Sequence, residues 1–276
     1  MSTESMYARL GVDARKKGVE QLEKLIRNIA PYVFTSIVKD PATGEGVVLH
    51  VDGAGSKPII AYLYHKETGD TVWYRGLAQD VVAMNLDDIV TVGARPIAFA
   101  DYIALNPFRI PKFELLKDLS KGFEEVFKSL SEICSVYCPV FTGGETADLP
   151  DQVRTLDIVG VVYGKIKQDE DLKRGIASPG TLILGLRSGG RAKYEKSENS
   201  GIMCNGITLA RHCLLSIEYF KKYPEVCEPS LKRKYFGRYR LDDVPEDLNM
   251  TVGEALLSPT RIYTCIIAEM VEKLQG

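Results

Sequence analysis

The chain contains no apolar run approaching the roughly 18 residues of a membrane helix, so no segment of it reads as a membrane span. Nor does it carry charge of one sign. Its 35 Lys and Arg stand against 37 Asp and Glu, a formal net charge of -2, which argues against nucleic acid or an anionic membrane as a main partner. The local cluster Lys232-Arg233-Lys234, with Arg238 and Arg240 behind it, reads as a solvated loop. The opening residues Met1-Ser2-Thr3-Glu4-Ser5 lack the basic and apolar regions of a signal peptide, and the expected location is the cytoplasm. Histidine is scarce, with His50, His65 and His212 far apart. Cys134, Cys138, Cys204, Cys213, Cys227 and Cys265 form no C-x-x-C and stand away from the histidines, so no zinc site follows from the spacing. Reduced, structural thiols are the expectation, with Cys134 and Cys138 packing at one helix end.

What is present is the composition of a soluble globular protein, 45% hydrophobic and 26% charged, on 276 residues, a length that predicts two domains. Residues 13–29 place Val19, Leu22, Ile26 and Ile29 at helical spacing behind Asp13, a candidate N-cap. A break follows at Ala30-Pro31. Residues 46–51 and 58–64 are rich in β-branched and aromatic side chains and read as two strands around a turn at 52–57. Residues 75–92 and 112–134 read as helices, the second with Phe113, Leu116, Leu119, Phe123, Phe127 and Leu130 on one face. Strands are expected at 97–105 and 157–164. The charged stretch that follows puts a boundary near 165–180, giving a first domain over 1–165 and a second over 180–276. The second is expected to open with a strand at 181–186 and to continue with a helix at 207–222 and a polar insertion at 223–250. It ends in a helix behind Ser258-Pro259 with Ile262, Ile266, Met270 and Leu274 on one stripe. One strand is little sheet for a layered domain, so the second domain reads as incomplete or dependent on a partner.

Two loops carry the chemistry. Gly143-Gly144-Glu145 follows the strand-like run Cys138-Pro139-Val140-Phe141, and its glycines leave backbone N–H groups free to approach an anion. Glu145 repels phosphate and so points to a bridging cation such as Mg²⁺. Asp52-Gly53-Ala54-Gly55-Ser56-Lys57 is a second acid and glycine turn, closed by a lysine. Each alone is also an ordinary turn; together they suggest one polyphosphate site. On the helix at 75–92, Asp80 and Asp88 are spaced to converge on one cation, and the alternative is that Asp87 and Asp88 are simply solvated.

With Gly11-Val12-Asp13, Gln79-Asp80 through Asp87-Asp88, Gly93-Ala94-Arg95-Pro96, Ala100-Asp101-Tyr102, Asn205-Gly206 and Leu257-Ser258-Pro259-Thr260-Arg261-Ile262-Tyr263 added in co-linear order, the chain resembles the phosphoribosylformylglycinamidine cyclo-ligase family, also called aminoimidazole ribonucleotide synthetases. The resemblance implies an α+β, two-domain enzyme with an incomplete second domain. The enzyme would dimerise through its first domain and use ATP and Mg²⁺ to close the ring of formylglycinamidine ribonucleotide, releasing ADP and phosphate in purine synthesis. It implies metal ligation by Asp52, Asp80, Asp88 and Glu145, and nucleotide contacts from Asp52, Gly53, Gly55, Lys57, Asp80, Gly143, Gly144 and Glu145. Catalytic roles would fall to Lys57, Asp88 and Asn205, with Asn205 and Gly206 holding the substrate. The partners implied are a small ribonucleotide and a second copy of the chain, with no nucleic acid and no membrane.

Three departures accompany the resemblance. Ala30-Pro31-Tyr32-Val33-Phe34-Thr35-Ser36 stands where the family has a glycine-rich flap, and Met203-Cys204-Asn205-Gly206 replaces its His-Ser-Asn-Gly. The chain also stops about one helix after Tyr263, so the expectation is a truncated or reduced relative. The alternatives are another ATP-dependent enzyme of the superfamily, such as a thiamine monophosphate kinase, and a non-catalytic nucleotide-binding module.

Overall fold

A computed structural model describes residues 5–30, 33–166 and 178–275. Two short helices, α1 (Met6–Arg9) and α2 (Glu20–Glu23), lead into β1 (Val38–Lys39), β2 (Gly46–Gly53), α3 (Lys57–Thr68), α4 (Leu77–Val90), β3 (Arg95–Leu105), α5 (Lys112–Cys134), β4 (Val140–Asp148) and β5 (Leu156–Ile166). Beyond 177 come α6 (Ile207–Leu214), α7 (Glu218–Lys222), α8 (Val252–Leu257) and α9 (Thr264–Gln275). The five strands form one sheet in the order β1-β2-β5-β3-β4, antiparallel except for β3 with β4. Parallel neighbours need a long crossover, and α5 supplies it. The architecture is α+β.

The sheet buries one face. Val48, Phe99, Ile158 and Val162 are fully buried, as are Val81, Val82, Leu86 and Ile89 of α4. Gly160 lies where any Cβ would sit 2.6 Å from both Asn85 Nδ2 and Phe99 Cζ, so only glycine lets α4 come this close to β5. On the other face Leu49, Val51, Ile97 and Tyr102 are exposed, the alternation expected of strands covered on one side only. Among the described residues no helix is long and apolar enough to cross a membrane.

Several expectations need correction. The helix foreseen over 13–29 shrinks to α2, because Leu22, Leu25, Ile26 and Ile29 find nothing to pack against and stay exposed. A short isolated helix has little reason to persist without a buried face. Asp13 instead accepts from Arg15 N and Lys17 N in a turn. Residues 58–64 are the body of α3, not a strand. Pro58 lies in its first turn, Gly69 closes it at φ 78°, and the run from Ile60 to Tyr64 is buried. A continuous apolar run has no period to read, so sequence alone favours the wrong element. Gly143 and Gly144 lie inside β4 rather than in a turn after it, Gly143 at φ 91° beside a register shift in the pairing with β3. In α5 the buried face runs through Leu115, Leu119, Phe123, Val126 and Leu130, leaving Phe113 exposed. The helix foreseen over 207–222 is interrupted at Leu215, giving α6 and α7.

The strand expected at 181–186 does not form, and Leu182 and Ile183 there are 94% and 97% exposed. Among the described residues beyond 177, pairing is limited to isolated bridges such as Leu215 with Tyr239. Cys134 and Cys265 form a disulfide joining α5 to α9, against the expectation of reduced thiols. Cys138 remains a thiol bonded to Phe127 O. The boundary foreseen near 165–180 and the break at Pro31 fall largely on residues 167–177 and 31–32, outside the described residues, as does the side chain of Leu274.

One buried histidine makes folding pH-dependent. His212, 1% exposed, accepts from Tyr235 N through Nδ1, a bond open only to the neutral ring. Burial, with Arg211 alongside, lowers its pKa from 6.5 to about 3. The unfolded chain therefore takes up a proton that the folded one refuses, so this contribution is complete above pH 6.5 and falls as pH drops toward 3. Lowering the pH from 7 to 5 is expected to remove about 2 kcal/mol in urea unfolding, and His212→Asn, which keeps an acceptor, is expected to flatten that slope. An unchanged slope in the variant would assign the acid sensitivity elsewhere.

Candidate functional site

The turn between β2 and α3 is built from behind by a buried ion pair. Lys57, at the first position of α3, is fully buried, and its Nζ donates to Asp80 Oδ1 at 2.7 Å and to Ser258 O at 2.5 Å. Thr260 adds its N–H and Oγ1 to the same carboxylate oxygen at 2.8 and 2.7 Å. Asp80 Oδ2 is buried with no hydrogen-bond partner among the described residues. Cys204 lies against this knot with Sγ 3.3 Å from Thr260 Oγ1, and burial together with the Asp80 charge pushes its thiol pKa up. The sequence reading has Lys57 facing phosphate and Asp80 a metal. Lys57 Nζ and Asp80 Oδ1 are instead paired with each other and with the 258–260 segment, because a charge this deeply buried needs its partner at hand, and Oδ2 is the one Asp80 oxygen left over.

The other acids of α4 diverge. Asp88 Oδ2 meets His50 Nε2 at 3.1 Å, and His50 Nδ1 meets Asn85 Oδ1 at 3.2 Å. Asn85 also accepts from Asp52 N and donates to Asp52 O, fixing the end of β2 to α4. Burial opposes a proton on His50, but its bonds to Asp88 and Asn85 and the nearby Asp88 and Asp52 charges outweigh that and raise its pKa. Asp87 accepts from Tyr263 N, Thr264 N and Thr264 Oγ1, so it caps α9 from a distance, the role foreseen for Ser258. Burial lifts Asp87 to about 6 despite those bonds.

Glu145 stands elsewhere. Across the sheet Asp52 is opposite Gly160, Gly160 opposite Asp101, and Asp101 opposite Gly144. The next row holds Gly53, Val159, Tyr102 and Glu145. Three strand spacings separate Asp52 from Glu145, roughly 14 Å, and adjacent rows point to opposite faces. Asp52, Asp80, Asp88 and Glu145 are therefore not gathered around one ion by a single copy of the chain. Among the described residues no group of three or more His, Cys, Asp and Glu is placed to hold a metal. Gly144 is needed for another reason, since a Cβ there would lie 1.9 Å from Asp101 Oδ1.

The glycine turn and the Asn205-Gly206 loop do come together. Gly55, at φ 59°, faces Cys204 O and Ile207, and Ser56 Oγ lies 2.8 Å from Thr208 Oγ1. Gly206, at φ 90°, opens α6 without a side-chain cap. Asn205 is exposed and does not cap that helix. A larger cavity of about 930 Å³ lies apart from this turn, with Arg75, Gln79, Glu132, Tyr194 and Arg261 on its walls. Sequence reasoning misses His50 and Asn85, whose roles rest on contacts between β2 and α4 that no local pattern announces.

Comparison with known proteins bears on this arrangement. Residues 33–166 match the family AIR synthase related protein, N-terminal domain. A phosphoribosylformylglycinamidine cyclo-ligase of Methanococcus maripaludis is 30% identical over 283 residues, 97% of this chain and 66% of that protein. The protein of that name from Methanocaldococcus jannaschii is 33% identical over 226 residues, 82% of this chain and 51% of its own length. That from Carboxydothermus hydrogenoformans is 31% identical over 276 residues, 96% of this chain and 66% of its own. The chain thus spans between about half and two thirds of these relatives. Among solved structures, thiamine monophosphate kinase from Aquifex aeolicus superposes over 56% of this chain and 44% of its own with a TM-score of 0.36 and 12% identity, a likeness too weak to carry an argument. Residues 33–166 thus carry an AIR synthase related N-terminal domain, and the chain as a whole is similar to phosphoribosylformylglycinamidine cyclo-ligases.

Proposed function

We propose that this chain binds ATP with Mg²⁺ and acts in the ATP-dependent cyclisation of formylglycinamidine ribonucleotide to aminoimidazole ribonucleotide, with release of ADP and phosphate. The observation that carries this reading is the match along nearly the whole chain to relatives named for that reaction, with the glycine turn packed on the Asn205-Gly206 loop. An amide oxygen leaves poorly, so phosphorylating it prepares the carbon for attack by the neighbouring nitrogen. The protein's part is alignment and charge neutralisation.

Mg²⁺ suits the residues left free. Asp52 spends Oδ1 on Gly53 N and Asp88 spends Oδ2 on His50, so each keeps one hard oxygen. One or two carboxylates plus substrate phosphates suffice for Mg²⁺, whose charge would screen the phosphates during transfer. In this reading Gly55 turns its backbone N–H toward phosphate, that of Gly53 being held by Asp52 Oδ1, and Asn205 offers its amide to the substrate. Lys57 and Asp80 position the turn. Glu145, with Gly143 and Gly144 around it, would contribute from the open face of the sheet, reaching the nucleotide of a second copy.

That second copy is part of the proposal. The face with exposed Leu49, Val51, Ile97 and Tyr102 and the edge of β4, which pairs with no further strand among the described residues, supply an apolar surface that a homodimer would bury. Light scattering at micromolar concentration is expected to give a dimer; a monomer with undiminished ATP affinity would contradict this. The first and second domains are taken as 1–165 and 180–276, and a metabolic role of this kind belongs in the cytoplasm.

Incubating the 276-residue chain with formylglycinamidine ribonucleotide, ATP and Mg²⁺ tests the reading. ADP and aminoimidazole ribonucleotide should form in equal amounts. ATP binding without turnover would instead make the chain a nucleotide-binding module.

A further inference from the structure

We infer that the cavity between the β2–α3 turn and α6 is a phosphate-monoester site, a conclusion that rests on the proposed function and identifies its occupant as the phosphate of the ribonucleotide substrate. The cavity encloses about 400 Å³, within the range of small-molecule sites. Ser56, Thr208, Arg211, Arg154 and Asp157 are on its walls.

Arg211 is the observation that points to an anion. It is 4% exposed, and its Nη1 donates to Val226 O at 2.9 Å and to Tyr235 Oη. Its Nε is buried with no partner, and among the described residues it makes no ion pair. A buried guanidinium without a counter-charge is costly unless a ligand brings one. The acids around it are already engaged: Glu225 pairs with Arg109 at 2.9 Å, and Glu228 with Arg154 at 2.7 Å. Asp157 also lines the cavity, an acid whose pKa burial raises.

The backbone adds to this. The N-termini of α3 and α6 meet where Ser56 Oγ and Thr208 Oγ1 are 2.8 Å apart, and neither helix has a capping side chain. In α3, Lys57 N and Ile59 N are held by Ala54 O and Ser56 O and Pro58 has no N–H, so it is the uncapped first turn of α6 that favours an anion. Tyr235, which holds Arg211, is fully buried at φ 45°, a left-handed conformation rare outside glycine. Such strain is maintained where the packing around it fixes a particular geometry, here the setting of the Arg211 fork.

Calorimetric titration of the full chain with ribose 5-phosphate, and with ribose as the uncharged control, tests the site, with ATP and Mg²⁺ titrated in parallel. Ribose 5-phosphate is expected to bind and ribose not. Arg211→Met is expected to raise the dissociation constant for ribose 5-phosphate at least tenfold, with the melting temperature held or raised because an uncompensated buried charge is gone. Thr208→Val, at a half-buried position, is expected to weaken binding severalfold and serves if Arg211→Met does not fold. Affinity for ATP with Mg²⁺ should be unchanged in both. No binding of ribose 5-phosphate to the folded wild type, or equal binding by a folded Arg211→Met or Thr208→Val, would overturn the site. Failure of ATP to bind while ribose 5-phosphate does would overturn the proposed function and leave the site standing.

Discussion

Asp80→Asn is expected to cost about 3–5 kcal/mol of folding stability, the loss typical when one member of a buried ion pair is removed. The substitution leaves Lys57 Nζ at zero exposure with Ser258 O as its remaining acceptor of full strength. The amide oxygen introduced by the substitution would still accept from Thr260, so the loss comes from the stranded charge rather than from the hydrogen bonds. Asp87→Asn, by contrast, weakens one helix cap and should cost about 1 kcal/mol. Replacing both charges, as in Lys57→Met with Asp80→Leu, should recover much of the loss, since apolar pairs of similar volume often equal a buried salt bridge. Urea unfolding of the wild type and these three variants measures this. Equal destabilisation by Asp80→Asn and Asp87→Asn would mean that the pair is solvated and does not hold the glycine turn still.

The same pair marks where sequence reading stops. Asp80 and Lys57 are legible as an acid and a lysine beside a phosphate-type loop, but the residues that occupy them, Ser258 and Thr260, lie about 180 to 200 positions away in the chain. Nothing local encodes that contact. The sheet is legible where alternation is strict, as in β5 with its buried Leu156, Ile158, Gly160 and Val162, and the long amphipathic stripe of α5 is equally plain. The reading fails at 58–64, where all but Ile59 are buried and periodicity vanishes, and at 13–29, where a helical pattern exists but no surface receives it. Gly144 and Gly160 are visible as glycines, yet the reason for each is a neighbour on another element, Asp101 for the first and Phe99 with Asn85 for the second. The glycine turn and the Asn205-Gly206 loop are each foreseen, and they do meet. The acids are foreseen together and do not meet, because Asp52 and Glu145 occupy different strands and opposite faces of one sheet.

That separation leaves Asp88 as the acid whose removal should report most cleanly on nucleotide binding, being partly exposed and joined to the fold through His50 alone among its ion pairs. Loss of one carboxylate from a dication site is worth about 1.5–3 kcal/mol, so Asp88→Asn should weaken ATP binding by roughly 10- to 150-fold while costing little stability. Titrating ATP into the protein with and without Mg²⁺, for the wild type and Asp88→Asn, is the most direct measurement of the central claim. The account predicts saturable binding that requires the cation and is weakened in the variant. Binding that is absent from the folded wild type, or that is equally tight without Mg²⁺ and in Asp88→Asn, would contradict it.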